Sequence, residues 1–311
     1  MKPDSVTYHS NGKLLITGEY AVLDGAKALA VPTKYGQTLK VTANTTDRLN
    51  WKSYYNKGAV WFSSAFLRSN DNSIVSEQQN DIAIRLAQVL NVARSLKPNF
   101  LNDSIGFDIE SHLEFPRDWG LGSSSTLINN IAEWANVDPY KLLKFTFGGS
   151  GYDIACASHN KAITYQLLND NQRTITEVNF NPTFSKNLYF VHLNKKQNSR
   201  EGISRYRSNS ADKTDLIKTV GEITESIIEC NALKDFQELI QKHEYYVSKV
   251  IGLPTLQSKL FSDFRGSIKS LGAWGGDFIL AASEDEPTDY FYHKGFKTII
   301  KYEDMVLDFK G

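Results

Sequence analysis

The sequence predicts an α+β fold in which strands and helices segregate along the chain. Three observations carry this: the first half is dominated by short β-branched or alternating runs, the last third opens with three successive helical stripes, and the chain then returns to strand-like segments. A doubly wound parallel sheet would need strand and helix to alternate throughout.

In the first half, strands are expected over residues 6–9, 13–22, 37–43, 59–62 and 105–109, separated by Gly, Asn and Asp. The run NDIAIRLAQVLNVARSL reads as the first clear helix, with Ile82, Leu86, Val89, Leu90 and Ala93 on one face and Asn80 or Asp81 as its cap. A second helix is expected over 124–134, and strands over 162–168, 174–178 and 188–193. In the last third, Leu216, Val220, Ile223 and Ile227 share one helical face. Phe236, Leu239, Ile240, His243 and Val247 share a second, and Leu256, Leu260, Phe264, Ile268 and Leu271 a third. Strands are expected again over 278–282, 289–293 and 298–302. The NPTFSKN turn suggests two domains, 1–183 and 184–311.

A chain of 311 residues with 41% hydrophobic content can bury a large core. Lys plus Arg and Asp plus Glu both total 35, so no net field draws it toward nucleic acid or an anionic membrane. Cys156 and Cys230 form no CxxC pair, which argues against a disulfide framework or a zinc site. No stretch approaches the roughly 20 apolar residues of a spanning helix, and no secretory leader is evident. A cytoplasmic protein is the expectation.

The chemistry concentrates in four glycine-marked segments. In FPRDWGLGSSSTLINNIAEW, Gly120, Leu121 and Gly122 lead into Ser123, Ser124 and Ser125 at the start of a helix, where unpaired amides and the helix dipole suit an anion. The same residues would also make an ordinary serine-capped turn. There is no GxxxxGK[ST] P-loop and no GxGxxG fingerprint. In GGSGYDIACA, a tight bend around Gly151 presents Asp153, either as a base or as a helix cap. Lys13 opens an apolar strand in SNGKLLITGEYAVLDG, followed by Glu19 and Tyr20. In LGAWGGDFILAA, Gly272, Ala273, Gly275 and Gly276 form a loop that either approaches a ligand or turns the chain.

Taken in this order, the four segments resemble the motifs of the GHMP kinase family over nearly the whole chain, most closely its mevalonate kinase and phosphomevalonate kinase branch. That resemblance implies an N-terminal domain like ribosomal protein S5 domain 2 and a ferredoxin-like C-terminal domain. It implies ATP with its phosphates on Gly120 to Ser125, Mg2+ held by Ser123 or Ser124, Asp153 as the base, and Lys13 favouring its charged form. The loop from Gly272 to Gly276 would cover nucleotide and substrate, with Glu19, Tyr20, Gly151, Lys196 and Trp274 near the substrate. Two departures stand out. Mevalonate kinases carry a metal-binding glutamate shortly before the aspartate, and VDPYKLLKFTFGGSGYD has no acid between Asp138 and Asp153. The third motif also carries Trp274 and Asp277 where the family has small residues. The basic run of Lys195, Lys196, Arg200, Arg205 and Arg207 suits an acidic metabolite, or is a solvated loop. The expected activity is phosphoryl transfer to mevalonate, phosphomevalonate or a similar small acid, by a monomer or homodimer. The alternatives are a diphosphomevalonate decarboxylase-like enzyme and a non-catalytic binding homologue.

Overall fold

The computed structural model describes residues 5–69, 71, 73–102, 105–168, 172–197 and 199–307. In chain order its elements are β1 (Ser5–Thr17), β2 (Ala28–Asn44), β3 (Leu49–Tyr54), β4 (Val60–Arg68), β5 (Ile74–Ser76), α1 (Asp81–Leu96), β6 (Gly106–Leu113), α2 (Ser123–Ala135), α3 (Pro139–Thr146) and α4 (Tyr152–Ala157). There follow β7 (Ile163–Leu167), β8 (Arg173–Glu177), β9 (Leu188–His192), α5 (Ser199–Ser208), α6 (Thr214–Glu229), α7 (Leu233–Ile251), α8 (Leu256–Leu260), β10 (Ser267–Ser270), β11 (Phe278–Ala282), α9 (Thr288–His293), β12 (Ile299–Lys301) and α10 (Tyr302–Met305). The fold is α+β. Among the described residues, no helix is long and apolar enough to cross a membrane.

The chain forms two compact units interleaved in sequence. The first comprises residues 1–12, 35–117 and 122–158; the second comprises 13–34, 118–121 and 159–311.

In the first unit, β3 pairs antiparallel with β4 and parallel with β6, and β6 pairs antiparallel with the end of β2, Val41 opposite Ile109. Alternation decides which face is buried. Leu49 and Trp51 point inward from β3, and Leu39 and Val41 from β2, while Lys40 and Lys52 stay outside. Helices α1 to α4 cover that face through Leu86, Leu90, Ile128, Ile131, Leu142 and Ile154. Burying one such side chain contributes about 2 kcal/mol.

In the second unit, β10, β11, β9 and β12 form an antiparallel sheet in that order. Every residue of β9, β10 and β11 is buried, so burial does not alternate along these strands. Helix α7 packs on β10 and on α6.

Several elements differ from the pattern reading. The third helical stripe breaks after one turn: α8, capped by the Thr255 hydroxyl, stops at Leu260, and Ser267–Ser270 form a strand. Gly266 lies so close to the Ala282 carbonyl that a side chain there would collide with it, and Ser267 to Ser270 then pair with β11. Residues 289–293 belong to helix α9 and bury only Phe291, so aromatic content there did not mean alternation. Strand β1 ends at Thr17, because Gly18 (φ 100°) and Tyr20 (φ 60°) leave the extended region. On α1 the buried stripe runs through Ala83, Leu86, Val89, Leu90 and Ala93, with Ile82 40% exposed, and Asn80 caps the helix by accepting the Ala83 amide. The pattern reading missed β3, β5, α3, α4 and α10. The basic run expected as a loop is helical from Ser199 onward.

Candidate functional site

The first unit contributes two helix starts. Helix α2 opens from Gly122 and α4 from Gly151, both left-handed (φ 92° and 89°), and neither has a side-chain cap. A glycine reaches that conformation without the penalty a Cβ brings, and no capping side chain then covers the first-turn amides. The serines divide in role. Ser125 is buried and donates to the Gly122 carbonyl at 2.8 Å, whereas Ser123 is half-buried and Ser124 exposed. Thr126 donates to Gln37 Oε1 at 2.6 Å, and Asn129 and Asn130 bond Ser10, so the first two turns are anchored from behind. Asp153 lies half-buried in the first turn of α4, which packs against α2. These contacts bring Asp153 and the triple serine onto neighbouring helices of one unit.

The second unit contributes Lys13, Gly120, Leu121 and the loop 271–277. Lys13 holds its neighbours twice: its amide donates to Leu121 O at 3.0 Å and its Nζ to Gly120 O at 3.1 Å. Asp277 lies against Gly120, where a Cβ would come within 2.3 Å of the Asp277 carboxyl carbon. The Asp277 backbone is left-handed (φ 54°), and its carboxylate accepts the Gln197 amide at 3.3 Å. Burial raises the Asp277 pKa, while the charges of Lys13, Lys196 and His192 pull it down. The sequence marked this carboxylate only as a departure from the motif.

Of the residues the resemblance puts near a substrate, Glu19 is buried, whereas Tyr20 and Trp274 border a pocket. Glu19 is 1% exposed, with Oε1 2.7 Å from the Nζ of buried Lys269. The Lys269 ammonium also reaches the Ser270 carbonyl at 2.9 Å and lies 3.7 Å from Glu244. His243 Nε2 accepts the Gly18 amide at 2.9 Å. Burial raises both carboxyl pKa values against the pull of Lys269, Glu244 to about 8, and burial with the Lys269 charge drives His243 well below its ordinary value. Three members of this cluster went unnoticed in sequence. His243 sat on an apolar stripe, and nothing in GSIKSLG marks an inward lysine.

Tyr20 and Trp274 line a pocket of about 470 Å³ with Glu201, Ser204, Arg205 and Leu253. The indole donates to the Pro254 carbonyl at 3.1 Å, which ties the ring into the unit's own packing. Ala273 is buried, and Gly272 and Gly275 have positive φ.

No protein-family model and no curated protein sequence matches the chain. Solved structures do. A phosphomevalonate kinase of Streptococcus pneumoniae, solved with phosphomevalonate and AMPPNP, aligns with a TM-score of 0.69 at 18% identity, covering 95% of this chain and 99% of that one. The mevalonate kinase of Methanococcus jannaschii aligns at 0.67 and 16%, covering 96% and 97%. A Lactococcus lactis galactokinase complexed with galactose aligns at 0.63 and 13%, covering 94% and 88%. At such identities the likeness is one of fold, and the fold is that of the GHMP kinases.

Proposed function

Starting from the GHMP kinase fold, we propose that this chain is an ATP-dependent phosphotransferase acting on a hydroxyl or phosphate of a small acidic metabolite, with mevalonate and phosphomevalonate the first acceptors to test. The supporting observation is the start of α2, where Gly122 leaves the helix without a side-chain cap beside half-buried Ser123 and exposed Ser124, with α4 carrying Asp153 packed alongside. Such a helix end holds anionic oxygen through amides and dipole together.

In this reading the nucleotide phosphates rest on Gly120 to Ser125, and Asp153 takes the proton of the acceptor hydroxyl. Lys13 contributes positive charge, and the loop from Gly272 to Gly276 covers the ligands. Phosphoryl transfer depends mainly on positioning and charge neutralisation. The donor set suits Mg2+ arriving with ATP, since that ion keeps several waters and needs only one or two protein oxygens. The hydroxyls of Ser123 and Ser124 would hold it, and it would neutralise phosphate charge. A cytoplasmic enzyme working as a monomer or homodimer belongs to the same proposal.

The test is ADP release across mevalonate, phosphomevalonate, homoserine and several sugars, with Asp153→Asn and Lys13→Met as variants. Loss of a general base lowers turnover by about 10²- to 10⁴-fold, so Asp153→Asn is expected to fall by that much while circular dichroism stays unchanged. Full activity in both variants would refute the assignment. Carbon dioxide released with ADP would identify a decarboxylase, and nucleotide binding without transfer to any acceptor would identify a binding protein.

A further inference from the structure

Glu19 and Tyr20 follow β1. The Tyr20 hydroxyl accepts the N–H of Trp274, in the loop that precedes β11, at 2.9 Å. Glu19 Oε1 is held by Lys269, and its Oε2 is buried without a hydrogen-bond partner among the described residues. The Tyr20 backbone is left-handed (φ 60°), a conformation that a bulky residue keeps only where its surroundings hold it.

The surroundings are shaped for this contact. Gly202 leaves room for the tyrosine, since a Cβ there would lie 2.3 Å from the Tyr20 hydroxyl oxygen, and Tyr206 stacks on the ring at 5.9 Å. On the other side Lys269 holds the Glu19 carboxylate at 2.7 Å from the end of β10, two residues before the loop's last strand contact at Leu271. Glu244 completes the set, with Ser270 Oγ donating to it at 3.0 Å. A carboxylate 1% exposed cannot touch a ligand. A buried, unpaired carboxylate would carry a large desolvation cost, which the lysine offsets.

We infer that Tyr20 is a positioning residue that fixes the loop 271–276 through the amide of Trp274, held in place by the room left at Gly202 and by the stacked Tyr206 ring. Any consequence for turnover rests on the proposed role of that loop as a ligand cover. The immobilisation of the loop does not.

The test is hydrogen–deuterium exchange on the full-length, ligand-free protein. Tyr20→Phe keeps the ring and its stacking and removes one acceptor. Peptides spanning 271–277 should exchange about fivefold to tenfold faster, as loss of one hydrogen bond does to a local opening equilibrium, with α7 and β11 unchanged. The second variant is Gly202→Ala, whose Cβ would displace the Tyr20 hydroxyl and is expected to loosen the same peptides. Unchanged exchange at 271–277 in both variants overturns the inference. If the chain proves to be a kinase, Tyr20→Phe should lower kcat with the acceptor KM within about twofold, since one lost loop contact alters closure and not substrate binding. A raised acceptor KM at unchanged kcat and unchanged exchange would mean direct substrate contact instead. If no acceptor is phosphorylated, the exchange result still decides the loop's role.

Discussion

Glu244 is a buried acid whose ionisation bears directly on stability. Burial holds its pKa near 8, against an ordinary 4.5, so between these values the folded chain keeps a proton that the unfolded chain releases. Rising pH therefore favours unfolding. His243 acts in the opposite sense, but only below its ordinary 6.5, where the unfolded imidazole takes a proton the buried one refuses. His9, raised by its hydrogen bond to half-exposed Glu114, adds a smaller loss on the alkaline side that a Glu244 variant shares. From pH 6.5 to 8, at about 1.4 kcal/mol per unit, the wild type is expected to lose roughly 2 kcal/mol through Glu244. Glu244→Gln should lack that loss in urea titrations at the two pH values. An equal loss in the variant would mean the proton sits elsewhere in the cluster.

Among the elements, the start of α1 was legible in its side-chain cap, whereas α3, capped in the same way by Asp138, was not. Asn80 accepts the Ala83 amide at 2.9 Å, and Asn80→Ala is expected to cost about 1 kcal/mol in chemical denaturation. The stripe on α1 was misjudged by one residue, because Ile82 and Ala83 are both apolar and only the facing sheet decides which turns inward. The segment 256–271 satisfied helical spacing, and what ended it was the approach of Gly266 to the Ala282 carbonyl, a contact distant in sequence. Gly120 raises the same issue beside Asp277. Gly120→Ala should destabilise by roughly 1–3 kcal/mol through strain and overlap, and Gly120→Ala/Asp277→Ala should recover part of it. Strict additivity of the two changes in unfolding experiments would count against that contact.

For the whole molecule, zero formal charge leaves ligand recognition to local groups, so the proposed nucleotide should announce itself by mass action. MgATP at about a hundred times its Kd stabilises by about 2.7 kcal/mol, a rise of a few degrees in Tm that differential scanning fluorimetry would register. No shift at millimolar nucleotide would remove the basis of the kinase reading. The α+β class, most strands and the glycine-marked segments were legible in the chain itself, because periodicity and left-handed turns depend on residues a few positions apart. The interleaving of the two units, the inward turn of Lys269 and the burial of Glu19 were not. They depend on which distant side chains share one dry space, where an ammonium lies beside two acidic side chains, and no local pattern in the sequence encodes that grouping.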